Sequence, residues 1–179
     1  FLAKKPTFKA QVNGLFGSGK TVFGLTFPKV FYVGTEPAGI ENLRQPENKH
    51  LLANLVEYEM FLPSNDVEVK QQYEPDKGGI YVACTKAKEM AKKGEVETLF
   101  IDNLSYFAEK AWMYISLFDK QYSAKTGNLD TQAMYGQLGR NMFKFVSMYA
   151  ANFPGNVIIA CHLKRESDEA MEGKLDKSA

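Results

Sequence analysis

Residues 14 to 21, Gly14-Leu15-Phe16-Gly17-Ser18-Gly19-Lys20-Thr21, match the pattern G-x-x-x-x-G-K-[ST] in full. Their surroundings matter as much as the letters. Upstream, Phe8 to Asn13 (FKAQVN) reads as a strand running into a glycine-rich turn. Downstream, Lys20 to Phe27 reads as a short helix closed by Pro28, and Val30 to Val33 (VFYV) as a buried parallel strand. Phosphate groups need closely spaced main-chain N–H donors. Gly14, Gly17 and Gly19 permit them, because no side chain blocks the approach and positive φ is cheap there. A chance glycine-rich turn is the alternative, but average residue frequencies produce the full pattern in a chain of 179 residues on the order of 1% of the time.

The rest of the chain alternates in the same way. Gly79 to Lys93 has helical spacing, with Ile80, Ala83, Ala87 and Met90 on one side and a Lys-Lys-Gly stop. Val96 to Ile101 (VETLFI) is an apolar strand ending at Asp102, and Leu104 to Tyr122 and Thr131 to Asn152 read as helices flanking a polar loop, Ser123 to Asp130. Asn156 to Cys161 (NVIIAC) is the last clear strand, and His162 stands at its end. Gly34 to Gln72 is harder to read, offering one helical patch and one strand around Val56 to Leu62, and beyond Glu36 no site is placed in it. Strands alternating with helices predict an α/β fold, a mostly parallel sheet sandwiched between helices, with ligands at the carboxyl ends of the strands. Residues 1–179 read as one such domain.

The motif calls for a nucleoside triphosphate, ATP first, with Mg²⁺. Gly14 to Thr21 and the following Val22 form the nucleotide-binding stretch, with Lys20 reaching the β- and γ-phosphates and the Thr21 hydroxyl on the metal. Asp102 follows Leu99-Phe100-Ile101, where a carboxylate at a strand tip would hold the Mg²⁺ shell; a helix-capping role for Asp102 or Asn103 competes. No glutamate follows Asp102, so water activation falls to another group. Glu36, in Gly34-Thr35-Glu36-Pro37, emerges at the same sheet edge and is the candidate base, against a solvated loop carboxylate. His162 can donate a hydrogen bond to a γ-phosphate, the alternative being a structural histidine, whereas His50 lies in a polar loop without such support. Lys164 and Arg165 could contact phosphate in the same or a neighbouring subunit, or form a solvated charged loop with Glu166, Asp168 and Glu169. Tyr106, Trp112, Tyr114, Tyr135, Phe143 and Phe145 sit at helical spacing and read as core or interface.

Composition narrows the class further. With 45% hydrophobic and 24% charged residues the chain is of ordinary globular composition, and 22 basic against 21 acidic residues exclude a wholly basic nucleic-acid-coating protein. The two cysteines, Cys84 and Cys161, are far apart, which fits a reducing, cytoplasmic compartment better than a disulfide scaffold. No apolar run approaches the roughly 20 residues that cross a bilayer.

Four pieces together resemble the RecA-like branch of P-loop ATPases: Gly14 to Thr21, the strand ending in Thr35-Glu36, IDNLSYF from Ile101 to Phe107, and VIIACH from Val157 to His162. The resemblance covers most of Phe8 to Asp168. It implies a RecA-like core, with Glu36 activating water and His162 sensing the γ-phosphate. FGSGKT, IDNLS and a strand ending in His are especially similar to phage-encoded RecA-like ATPases that assist single-strand annealing and recombination. That likeness implies Mg-dependent ATP hydrolysis in DNA recombination, annealing or replication, a single-stranded DNA partner, a homo-oligomer with its ATP site near a subunit boundary, and residence in the host cytoplasm. The strands and DNA-binding loops expected after His162 are missing or cut off, so a truncated C-terminal end belongs to the expectation. Two readings stand beside it: a small-molecule or nucleotide kinase, which would want an arginine-rich lid that Arg44, Arg140 and Arg165 do not make, and a DNA packaging or helicase motor.

Overall fold

A computed structural model describes residues 7–41 and 44–163. Five strands form one sheet: β1 (Lys9–Gly14), β2 (Val30–Gly34), β3 (Leu55–Met60), β4 (Thr98–Asp102) and β5 (Asn156–His162). They lie in the order β1-β5-β4-β2-β3, and every pairing is parallel. Parallel neighbours need crossover connections, and here these are helical: α1 (Lys20–Gly24), α2 (Ala38–Glu41), α3 (Asp66–Tyr73), α4 (Gly79–Lys92), α5 (Leu104–Phe118) and α6 (Thr131–Phe145). The fold is the expected α/β sandwich. No described helix is long and apolar enough to cross a membrane.

The two-residue period of the strands divides the interior into two cores. Phe31, Val33, Leu99, Ile101, Val157 and Ile159 face one way and pack with α3 to α6 through residues such as Tyr73, Ile80, Phe107 and Phe145. Val30, Tyr32, Phe100, Ile158 and Ala160 face the other way, against Leu25 after α1 and Leu51. Since β2 and β4 are covered on both faces, every residue in them is buried, which is why VFYV and the central LFI of β4 read as unbroken apolar runs. Burying each large side chain of this kind contributes about 1.5–3 kcal/mol. The edge strands differ, with Glu57 and Glu59 on β3 both bridged by Lys86 of α4.

Some boundaries move. The helix expected over Lys20 to Phe27 stops at Gly24, and the one expected from Leu104 to Tyr122 stops at Phe118. The stretch read as Thr131 to Asn152 ends as an α-helix at Phe145 and continues as wider, π-type turns over Val146–Ala151. The fourth strand starts at Thr98 rather than Val96 and runs through Asp102. Between β2 and β3, where little could be read, Pro46–Asn54 forms a 3₁₀ segment. Phe145 and Tyr114 are core, as expected, but Phe143 is 77% exposed and Tyr135 is also exposed, so neither belongs to it. Lys164 and Arg165 lie outside the described residues.

Candidate active site

Register decides what meets at the carboxyl edge. Gly14 of β1 pairs with His162 of β5, and Gly34 of β2 with Asp102 of β4. Because β5 lies between β1 and β4, His162 sits between the glycine-rich turn and Asp102. The expectation that the strand bearing His162 adjoins the one bearing Asp102 is met.

In the turn, Gly17 and Gly19 adopt φ of 74° and 82°, the left-handed region that an L side chain strains. The loop folds back over Lys20, whose side chain is buried and whose Nζ donates to Gly14 O at 2.9 Å and to Leu15 O at 2.7 Å. These carbonyls hold the ammonium beside the turn, where phosphate oxygens could take their place. Leu15 and Phe16 are exposed, and the Phe16 ring stacks on that of His162 with centroids 6.2 Å apart.

Thr21 Oγ1 donates to Asp102 Oδ2 at 2.6 Å, and the Tyr32 hydroxyl donates to the same oxygen at 3.1 Å. Burial, more than any other influence, pushes the Asp102 carboxyl above the usual range, helped by the charge of Glu36 and opposed by the Thr21 and Tyr32 hydroxyls and Lys20. Burial and the neighbouring Asp102 push the Tyr32 phenol upward, so it remains a donor. The competing reading of Asp102 as a helix cap does not describe it, since Asn103 is the residue whose side chain accepts from Tyr106 N and caps α5.

Glu36 is 6% exposed and lines the cleft, which is not the setting of a solvated loop carboxylate. Its Oε2 accepts from Asn103 Nδ2 at 2.6 Å and lies 2.9 Å from His162 Nε2. Thr35 fastens the preceding backbone to β4, donating through its amide to Asp102 O at 2.7 Å. Four positions singled out from the sequence, Lys20, Glu36, Asp102 and His162, thus line one cleft of about 250 Å³ together with Phe16 to Gly19, Thr21 and Val22.

Sequence reasoning missed part of the wall. Ala38, Gly39, Gln45, Glu47 and Asn48 also line the cleft, all from the stretch beyond Glu36 in which no site was expected. Gly39 has a clear reason to be small: a Cβ there would lie 2.1 Å from the Tyr32 hydroxyl oxygen and 3.2 Å from Asp102 Oδ2. Such a Cβ would displace the groups that hold Asp102. Cys84 and Cys161 are buried free thiols, both pushed upward by burial.

A Mg²⁺ ion fits this donor set. It keeps several waters and takes phosphate oxygens, so one hydroxyl and one carboxylate from the protein suffice, and Thr21 and Asp102 provide them side by side. Among the described residues no cluster of three or more His, Cys, Asp or Glu side chains could form an all-protein metal cage.

A family model described as an AAA domain matches residues 7–178. The chain belongs to the AAA-domain family. This AAA domain, with its complete phosphate-binding motif, is a P-loop ATPase. No curated protein matches it. Among solved structures it is similar to a prototypical ATPase from the type III secretion system of pathogenic bacteria, at 13% identity and a TM-score of 0.54 over 92% of this chain and 48% of that one. It is also similar to the assembled ATPase EscN of the enteropathogenic E. coli type III secretion system, at 18% identity and a TM-score of 0.48, over 87% of this chain and 36% of the other. The chain therefore spans about half the length of the first and about a third of the second, and at these identities the first likeness concerns the fold.

Proposed function

We propose that this AAA domain binds ATP with Mg²⁺ and hydrolyses it as a DNA-associated ATPase of recombination, single-strand annealing or replication. In this reading the amides of Gly14 to Gly19 and the Lys20 ammonium hold the β- and γ-phosphates, and Thr21 and Asp102 would hold the metal. When bound, Mg²⁺ offsets charge on the phosphate oxygens. Glu36 accepts a proton from a water that attacks the γ-phosphorus, the bond to the β,γ-bridging oxygen breaks, and ADP and phosphate leave. His162 donates toward the γ-phosphate from the strand between Gly14 and Asp102, and Lys164 and Arg165 follow it as the candidate phosphate contacts or finger.

The observation that carries the hydrolytic reading is the Glu36 carboxylate, buried in the cleft that also holds Lys20 and Asp102. A water-activating base is what an ATPase requires and the motif itself lacks. The DNA role, the homo-oligomer and the host cytoplasm rest on the resemblance of FGSGKT, IDNLS and VIIACH to phage-encoded recombination ATPases. ATP turnover measured with and without single-stranded DNA tests this reading. Stimulation by the strand is expected. Phosphate transfer to an added nucleoside or metabolite would overturn it in favour of a kinase, and turnover indifferent to DNA would remove the DNA role.

A further inference from the structure

Asn103 is wholly buried, and its polar groups are all engaged. Its amide donates to Thr35 Oγ1 at 3.0 Å, while the same hydroxyl donates to Asn103 O at 2.6 Å, so the two strand tips lock each other reciprocally. Its side chain divides between two partners. Oδ1 accepts from Tyr106 N at 2.9 Å, capping α5, and Nδ2 donates to Glu36 Oε2 at 2.6 Å. Only one orientation of the carboxamide serves both, because a backbone N–H can only donate and a carboxylate can only accept. The helix cap therefore fixes which end of Asn103 faces Glu36.

Both donors that reach Glu36, Asn103 Nδ2 and His162 Nε2, converge on Oε2. Among the described residues none reaches Oε1. The two anchors also differ. His162 is partly open to the cleft, with its ring against Phe16 and Tyr106, whereas Asn103 is wholly buried and held at four atoms.

We propose that Asn103 is a positioning residue for hydrolysis, tying down Oε2 of Glu36 so that Oε1 is the oxygen presented to the attacking water. The inference rests on the reading of Glu36 as the base. It gives Asn103 a second duty beyond the cap, and the two duties can be separated by substitution.

Asn103→Ser retains a side-chain oxygen for Tyr106 N–H but is too short to reach Glu36. Asn103→Asp retains size and capping ability but sets an acceptor against a carboxylate. For each purified variant kcat, KM for ATP and Mg-nucleotide affinity by calorimetry are measured, with a thermal melt as the check on folding. A loss in kcat of about 10- to 100-fold is expected, the order produced when a reacting group is misplaced by about an ångström, with affinity unchanged. Added to Glu36→Gln, either substitution should lower kcat no further. Wild-type kcat in Asn103→Asp, or a loss that multiplies with that of Glu36→Gln, would overturn the proposal. Should Glu36→Gln alone turn over like the wild type, the base reading has failed and the proposal falls with it, a result distinct from failure at Asn103. If Asn103→Ser does not fold, Asn103→Asp decides.

Discussion

Leu15 to Gly19 are exposed, whereas Thr35, Glu36, Asp102 and Asn103, at the neighbouring strand tips, are buried; in the proposed reading the first group acts through its backbone and the second mainly through side chains. The first group is contiguous in the chain. The second is assembled from strand tips, with Asn103 lying 67 positions after Glu36 and His162 lying 126 positions after it. A phosphate cradle needs amides and a cation, which a single turn can supply. A proton acceptor needs a carboxylate shielded from water yet oriented, and here only the sheet's register supplies that. The difference suggests that the two halves fail in different ways: damage to the turn removes binding, and damage to the strand tips removes turnover.

The largest effect that tests this division is at Lys20. Lys20→Ala should weaken Mg-ATP binding, measured by calorimetry, by at least about 100-fold, the order expected when one partner of a buried charged contact is removed. Turnover disappears with it. Glu36→Gln should do the reverse, leaving affinity intact while slowing hydrolysis by about 10²- to 10⁴-fold, the range for a lost general base. If both variants lose affinity equally, the two halves do not have separate duties and the comparison breaks.

The same contrast explains what could be read in the sequence. Gly14 to Thr21 was legible because the function proposed for it is local: eight adjacent residues carry the φ freedom, the cation and the hydroxyl. The strand order places Glu36, Asp102 and His162 at one edge, and each was visible as a polar residue ending an apolar run. Asn103 was visible only as a possible cap. Its bond to Glu36 depends on Gly34 lying opposite Asp102, a register that no local pattern reveals. Gln45, Glu47 and Asn48 were missed for another reason, since they belong to a polar turn and 3₁₀ segment without the periodicity of helix or strand. α1 and α5 end earlier than the sequence pattern predicts, and π-type turns follow Phe145, because apolar periodicity marks the body of a helix and leaves its ends open.

A smaller effect sharpens the comparison at Asp102, where buried charge should destabilise the fold in the absence of ligand. Burial raises the Asp102 pKa above its value in the unfolded chain, which is about 3.9. Between those two values the native state binds more protons than the unfolded state, so stability falls as pH rises through that window, and the cost is fully present above the raised value. Asp102→Asn removes the charge and its repulsion with Glu36 while keeping an acceptor for the Thr21 and Tyr32 hydroxyls. Without nucleotide at neutral pH the variant should melt higher than the wild type, because the charge that burial disfavours is gone. The advantage should shrink as pH falls toward the ordinary carboxylate range, where the wild type is protonated too. Added Mg-ATP should reverse the order, because the carboxylate that costs stability alone is the group proposed to hold the metal. A variant that melts lower at every pH would mean that Asp102 is held chiefly for the hydrogen bonds it accepts.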